Sequence, residues 1–221
     1  MEICGYDVDY KRKRIKNIIL RVYPSGRISL SVPFSVSDEE AARFFASKLS
    51  WIEKKKKKTG DPVSINEFSD GEKIFFFGER IEIKRGGVAT RVNDGILYIR
   101  KSENAAYETI SFLSDELVSR ARKYFSSFGE RYGVKPSAVS VRKSVSRWGS
   151  CNPRTGRINL SFFLVSLPEF CLEYVVAHEL CHLKYADHGR GFKKLLSEMF
   201  PAWKDVRKFM KENGDCMRLH F

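Results

Sequence analysis

The chain has 221 residues, of which 43% are hydrophobic and 30% charged, the balance of a globular protein with room for one large domain or two small ones. No apolar run approaches the roughly 18 to 20 residues that span a bilayer, and Met1–Asp7 lacks the basic start and apolar stretch of a secretory signal, so a cytoplasmic protein is expected. Forty Lys and Arg against 27 Asp and Glu leave a net charge of +13, which favours anionic partners.

That excess is spread evenly: residues 1–100 carry 20 basic and 14 acidic side chains, and residues 101–221 carry 20 and 13. Even spreading argues against a basic tail, so nucleic acid is a possible partner but not a favoured one. Cys4, Cys151, Cys171, Cys181 and Cys216 are odd in number and contain no CxxC pair, which speaks against a disulfide framework and a thiolate zinc knuckle.

In chain order, Lys16–Tyr23 and Arg27–Val32 alternate and are joined by Pro24-Ser25-Gly26, the pattern of a β-hairpin. Ser37-Asp38-Glu39-Glu40 reads as a capping box. The single helix it opens has Ala41, Phe44, Phe45, Leu49 and Ile52 on one face and runs into the basic stretch Lys54–Lys58, read as a solvated C-terminal turn. Beyond Gly60-Asp61-Pro62, strands are expected at Ile74–Phe77, Arg80–Lys84 and Ile96–Arg100. Character changes near Ser102, so an N-terminal β-rich region over 1–102 and a second domain over 103–221 are expected, together an α+β protein.

The second part opens with a helix from about Ala105 to Tyr132, stopped by Gly133 with Pro136 beyond. Strand Ala138–Lys143, a loop at Ser146–Cys151 and strand Gly156–Leu160 follow. Pro168 suits the first turn of a helix reaching Leu183, another helix begins after Gly191, and a last one covers about Trp203–Glu212. No internal repeat is evident.

The chemistry concentrates in one place. Three of the four histidines fall within eleven residues, in His178-Glu179-Leu180-Cys181-His182 and at His188, and the first five form an HExxH pattern. On a helix, residues four apart differ by about 40° and one turn of rise, so His178 and His182 can reach one ion. Glu179 stands about 80° from their mean direction, outside the coordination sphere but close enough to touch a water beside it. Leu172, Val176, Leu180 and Leu183 form an apolar ridge on the opposite side. Catalytic zinc takes three protein ligands, and His188 is the third provided the chain turns after His182, since a continuous helix would carry it about 240° away. The spacing is that of metzincins, but Tyr185 stands where that pattern has Gly. Cys181 is read as a small core side chain, and His220 as a surface residue.

Arg147-Trp148-Gly149-Ser150-Cys151, Ile158-Asn159-Leu160-Ser161 and Tyr174–Leu183 with His188 and Phe192 resemble the YgjP-like family of predicted zinc metallopeptidases. Asn17…Gly26-Arg27…Val32-Pro33, Trp51-Ile52, Asp70-Gly71-Glu72 and Phe77-Gly78 extend the resemblance over nearly the whole chain. It implies a C-terminal zincin-like domain related to SprT and WLM proteases, with His178, His182 and His188 as metal ligands and Glu179 as catalytic base. Where the family usually has Asn after the Ile-x-Leu strand, this chain has Ser161.

Three functions stand open. The first is a zinc peptidase, with nickel, cobalt or manganese as possible substitutes, in which Glu179 moves the proton of an activated water and strand Gly156–Leu160 pairs with an extended peptide. Arg147, Trp148, Asn159 and Arg190 are the candidate substrate-binding residues, with core packing the competing role for Trp148. The second is a metal-dependent hydrolase of nucleoside triphosphates or other phosphate-containing small molecules, with Arg142, Lys143, Arg147 or Arg190 on the phosphates. The third is a nucleic-acid-associated protease or binding module.

Overall fold

The computed structural model describes residues 1–23, 26–58, 67–217 and 219, and the side chains of 55, 57, 58, 215 and 216 are not described. The expected turn at Pro24-Ser25, the Gly60-Asp61-Pro62 break and His220 therefore lie outside the described residues. Two compact units are present, Met1–Pro62 and Val63–Leu219. No helix among the described residues is long and apolar enough to cross a membrane.

The first unit holds strands β1 (Glu2–Ile3), β2 (Tyr6–Lys13), β3 (Ile19–Val22) and β4 (Ile28–Pro33), in the order β1-β2-β4-β3. β3 and β4 make the expected antiparallel ladder. β1 and β2 were not anticipated, because the acidic and basic residues of Tyr6–Lys13 mask its alternation around Val8, which is buried. The single expected helix is two, α1 (Asp38–Ala46) and α2 (Leu49–Lys58). Ser37 Oγ accepts from the Glu40 N–H, as a capping box requires. The break follows from Ser47, whose hydroxyl donates to Phe44 O and whose N–H donates to Arg43 O and Phe45 O. Ala41, Phe45 and Ile52 face Ile3, Val8, Ile28, Leu30 and Val32 in one small core.

The second unit opens with β5 (Lys73–Phe76), β6 (Glu79–Gly87), β7 (Arg91–Asn93) and β8 (Ile96–Arg100), in the order β5-β6-β8-β7. Each unit thus starts with four strands in the same order, with a parallel central pair (β2 with β4, β6 with β8) flanked by antiparallel partners. The repeat is topological and leaves no repeated sequence. It also corrects the expected boundary at 102/103: β5–β8 packs into the C-terminal core, with Ile74, Phe76, Ile81, Ile83, Leu97 and Ile99 joining Leu113, Leu117 and Leu164. The Phe77 N–H donates to Val165 O across that junction at 2.7 Å.

Helix α3 (Ala105–Tyr132) runs as expected, burying Thr109, Leu113, Leu117, Ala121 and Phe125 at four-residue steps. It ends at Gly133, whose φ of 64° is left-handed and whose N–H donates to Gly129 O. Strands β9 (Ala138–Arg142), β10 (Gly149–Asn152) and β11 (Arg157–Ser161) form a sheet in the order β10-β11-β9. A 3₁₀ turn at Phe162–Ser166 leads to α4 (Glu169–Cys181), then α5 (Arg190–Met199) and α6 (Trp203–Met217). Helix α4 has no exposed side beyond its first turn: Cys171, Leu172, Tyr174, Val175, Val176, Ala177, Leu180 and Cys181 are all buried. An apolar ridge was expected, but a centrally buried helix is apolar nearly all round. Arg120 of α3 pairs with Glu169, anchoring its start.

Gly78 shows how closely the β5–β6 turn approaches α4. Its φ is +89°, and a Cβ there would stand 2.9 Å from both Cα and Cγ of Pro168, the residue before α4. Gly78→Ala combines backbone strain with an overpacked contact, so it should destabilise the second unit by about 2–3 kcal/mol. Chemical unfolding of the two proteins, with the slopes checked for equality, measures it.

Candidate metal centre

His178 and Glu179 lie in the last turn of α4, and His182 follows as its cap. The helix stops at Cys181, two residues before the expected end, and the Leu183 and Tyr185 N–H groups close the turn onto Leu180 O and Cys181 O. The chain then reverses through Asp187, whose Oδ1 accepts from the Gly189 N–H, and α5 starts at Arg190. Lys184 Nζ donates to Tyr132 O, tying the turn to the end of α3. No metzincin glycine is needed at 185. Instead the Tyr185 ring lies over Gly191, where a Cβ would meet Tyr185 Cε1 at 2.4 Å.

This turn brings His188 back over α4. One ligand nitrogen from each of His178, His182 and His188 lies within 4.8 Å of the others, and Nε2 of His188 is 3.2 Å from Nε2 of His178. Two ligands of one tetrahedral ion, each about 2.05 Å from it, stand about 3.3 Å apart. His182 Nδ1 is 3.0 Å from Tyr185 O, a contact in which the ring donates, leaving its Nε2 lone pair for the cluster. Phe192 of α5 is buried beneath all three rings, its centroid 4.9, 4.7 and 4.6 Å from those of His178, His182 and His188.

The electrostatics keep His178 unprotonated, with its lone pair available to a ligand. Burial, with the nearby His182, His188 and Arg207, pushes the His178 pKa down to about 3. The 3.2 Å between Nε2 of His178 and Nε2 of His188 is close enough for both to bind one ion, and protonating His178 is costly. His178 Nδ1 is buried without a hydrogen-bond partner. Three neutral imidazoles suit the zinc, nickel and cobalt class of ions rather than calcium or magnesium.

Glu179 is 5% exposed, and burial raises its pKa to about 8 against the opposing pull of Arg147. Its carboxyl packs on Gly149: a Cβ there would stand 2.5 Å from Oε1 and 2.8 Å from Cγ. Part of the segment expected as a loop is therefore strand β10, and its glycine is the seat of Glu179. In the sequence Gly149 stands out only as part of the Arg147–Cys151 motif, since its contact with Glu179 is non-local. Cys181 is core, with Sγ 3.6 Å from Met199 Sδ.

The other candidates separate. Arg147 and Asn159 line a common cavity of about 360 Å³ with Gly149 and Ser150. Trp148 is half-buried and packs on the core, lying over Gly214 of α6, where a Cβ would meet its Cζ2 at 2.7 Å. Arg190 is exposed at the start of α5 and is not part of the cavity wall. Ser161, in place of the expected Asn, donates to Ser144 O and accepts from the Phe163 N–H. Strand β11, expected to pair with a peptide, is central: β10 takes one edge and β9 the other. Among the described residues, the unpaired edge on the Glu179 side of the sheet belongs to β10, because β11 is already flanked on both sides.

The two perturbed groups give the metal-free protein a pH signature. The folded-state pKa of Glu179 exceeds the ordinary 4.5, so the folded chain keeps a proton that the unfolded chain loses. Its contribution is full below about 4.5 and is lost as pH rises through about 8. Metal-free Glu179→Gln should therefore be more stable than wild type by about 1–3 kcal/mol at pH 8, the gain vanishing near pH 4.5. Chelated proteins melted across that range provide the comparison.

The sequence matches the YgjP-like metallopeptidase domain over residues 16–213. No curated protein matches it significantly. Two solved metallopeptidase zymogens show slight likeness. Jannalysin of Methanocaldococcus jannaschii is 18% identical, with a TM-score of 0.36, covering 43% of this chain and 94% of that one. Abylysin of Pyrococcus abyssi is 20% identical, with a TM-score of 0.35, covering 49% and 99%. The family match alone spans most of the sequence, and the chain belongs to the YgjP-like family of metallopeptidases, hydrolytic enzymes that use a divalent metal on peptide substrates.

Proposed function

We propose that this chain is a zinc-dependent peptidase in which His178, His182 and His188 hold the ion and Glu179 is the general base. The observation that carries this reading is the convergence of three imidazole nitrogens within 4.8 Å, with Glu179 adjacent to the first of them on a buried helix. These three histidines would hold zinc, which would supply a lowered pKa for water and polarisation of a scissile carbonyl. Nickel, cobalt or manganese can substitute in such a set.

Glu179 takes a proton from the attacking water and delivers it to the departing amine nitrogen. Its packing against Gly149 holds the carboxyl in one place through both transfers. The free edge of β10 supplies the substrate platform. Ser161 N–H pairs with Trp148 O, so alternation along the ladder turns the backbone groups of Gly149 and Cys151 outward. An extended peptide pairing there lies along the strand on which Glu179 rests. The cytoplasm is the proposed place of action, on the odd cysteine count without paired spacing.

Glu179→Gln should bind one zinc per chain and lose about 10²–10⁴-fold in kcat. His188→Ala should lose stoichiometric zinc. Gly149→Ala should keep zinc while kcat falls at least about tenfold, since its methyl group occupies the place of the carboxyl. Metal analysis beside peptide hydrolysis tests all three. Full activity in Glu179→Gln, or unchanged zinc in His188→Ala, would falsify the assigned roles.

A further inference from the structure

The cavity of about 360 Å³ next to Gly149 has a one-sided chemistry. Its donors come from Arg142 at the end of β9, from Ser144 and Arg147 in the following loop, and from Ser150 on β10. No acidic residue is part of its wall, and neither arginine has a salt bridge among the described residues. Unpaired guanidiniums at one cavity form an anion site by charge and by hydrogen-bond geometry together.

Asn159 sets the polarity of the floor. Its Oδ1 accepts from Ser140 Oγ at 2.7 Å, which turns its amide nitrogen towards Ser150, 3.3 Å away. Ser150 Oγ is thereby an acceptor for Asn159, and its own proton is left to donate to a ligand. A volume near the lower end of small-molecule pockets admits one or two side chains and excludes a nucleic-acid strand. Gly149 and Ser150 belong to both this cavity and the open-edged strand.

We propose that the cavity is a subsite for a substrate carboxylate, gripped by Arg142 and Arg147 and by the Ser150 hydroxyl, giving this enzyme a preference for peptides that present an anionic group there. The assignment rests on the peptidase reading for what the ligand is, and on the cavity alone for its charge. The carboxylate is either an acidic side chain or the peptide's C-terminus. Both present the same planar pair of oxygens to a guanidinium.

The test is equilibrium binding to full-length, zinc-loaded chain carrying Glu179→Gln, so that no peptide is consumed. Probes are eight-residue peptides with a single Glu walked along the sequence, their Gln counterparts, and each with a free or amidated C-terminus. Replacing the recognised carboxylate by an amide should weaken binding about ten- to a hundredfold. Adding Arg142→Gln should abolish that difference while leaving the amide peptides within about twofold. Ser150→Ala should reduce it severalfold. A Glu/Gln difference identifies a side chain, and an acid/amide difference identifies the C-terminus.

Equal binding of all peptides overturns the proposal, as does discrimination undiminished by Arg142→Gln. A phosphoserine peptide held more tightly than its Glu counterpart overturns it in favour of phosphate. Failure of the peptidase reading looks different: wild-type chain cleaves none of the peptides, yet the charge discrimination remains.

Discussion

Burial of helix α4 is the constraint on which the rest of the second unit depends. A helix enclosed by α3, α5, α6 and β10 must be apolar on nearly every side, and this one is. The exceptions are therefore expensive and must be concentrated where they act. Glu179 and His178 stand in the last turn, where desolvation moves their pKa values in opposite directions, so that both favour the neutral form. The same enclosure fixes their directions. A side chain on an enclosed helix has few rotamers left, and an acid–base group held within a narrow range of angles loses little on the way to reaction.

Close approach is achieved by missing side chains. Gly149 admits Glu179, Gly191 admits the Tyr185 ring, Gly214 admits Trp148, and Gly78 admits Pro168. Three of these four glycines have negative φ, so their common property is absence of bulk rather than backbone freedom. Two of the contacts join distant segments to α4, β10 to its acidic residue and the β5–β6 turn to its start; a third seats α5 on the turn after it, and the fourth ties α6 to the segment before β10. Phe192 completes the arrangement from below, giving three imidazoles a single hydrophobic floor. The floor removes water from the back of the rings, so their nitrogens converge forward.

Much of the site was legible because its chemistry is local. His178 and Glu179 share the last turn of one helix and His182 caps it, so helical geometry alone brings them together; the expectation of His188 beside them rests on seeking a third ligand after a turn. The long helix Ala105–Tyr132 was legible for a similar reason, with a four-residue burial period and a terminating glycine written in the chain. What escaped is non-local. Nothing in Gly149-Ser150-Cys151 announces an edge strand, because strand order depends on which neighbours arrive. The same cause made β11 look available for a peptide when β9 and β10 already flank it. The boundary at 62/63 was hidden because the β5–β8 strands resemble those of the first unit in pattern while packing into the core of the second. The repeated strand order itself is invisible in the residues, since a topology can be conserved by burial pattern with any apolar side chains.

The charges around the cluster are coupled rather than merely adjacent. Without a cation, the buried pair is most stable with His178 neutral and Glu179 protonated. A dication among the imidazoles reverses the preference at Glu179, since a nearby positive charge favours the ionised carboxyl. In the proposed peptidase, holding the cation and ionising Glu179 are then two descriptions of one equilibrium, and each strengthens the other by the same free energy. Arg147 works in the same direction, its charge lowering the Glu179 pKa from one side while it lines the anion-attracting cavity on the other. An anionic group bound by Arg147 would neutralise part of that pull and leave Glu179 a stronger base. In the proposed enzyme, substrate charge and base strength are thus linked through one guanidinium, which gives the placement of Arg147 near Gly149 a consequence beyond simple attraction.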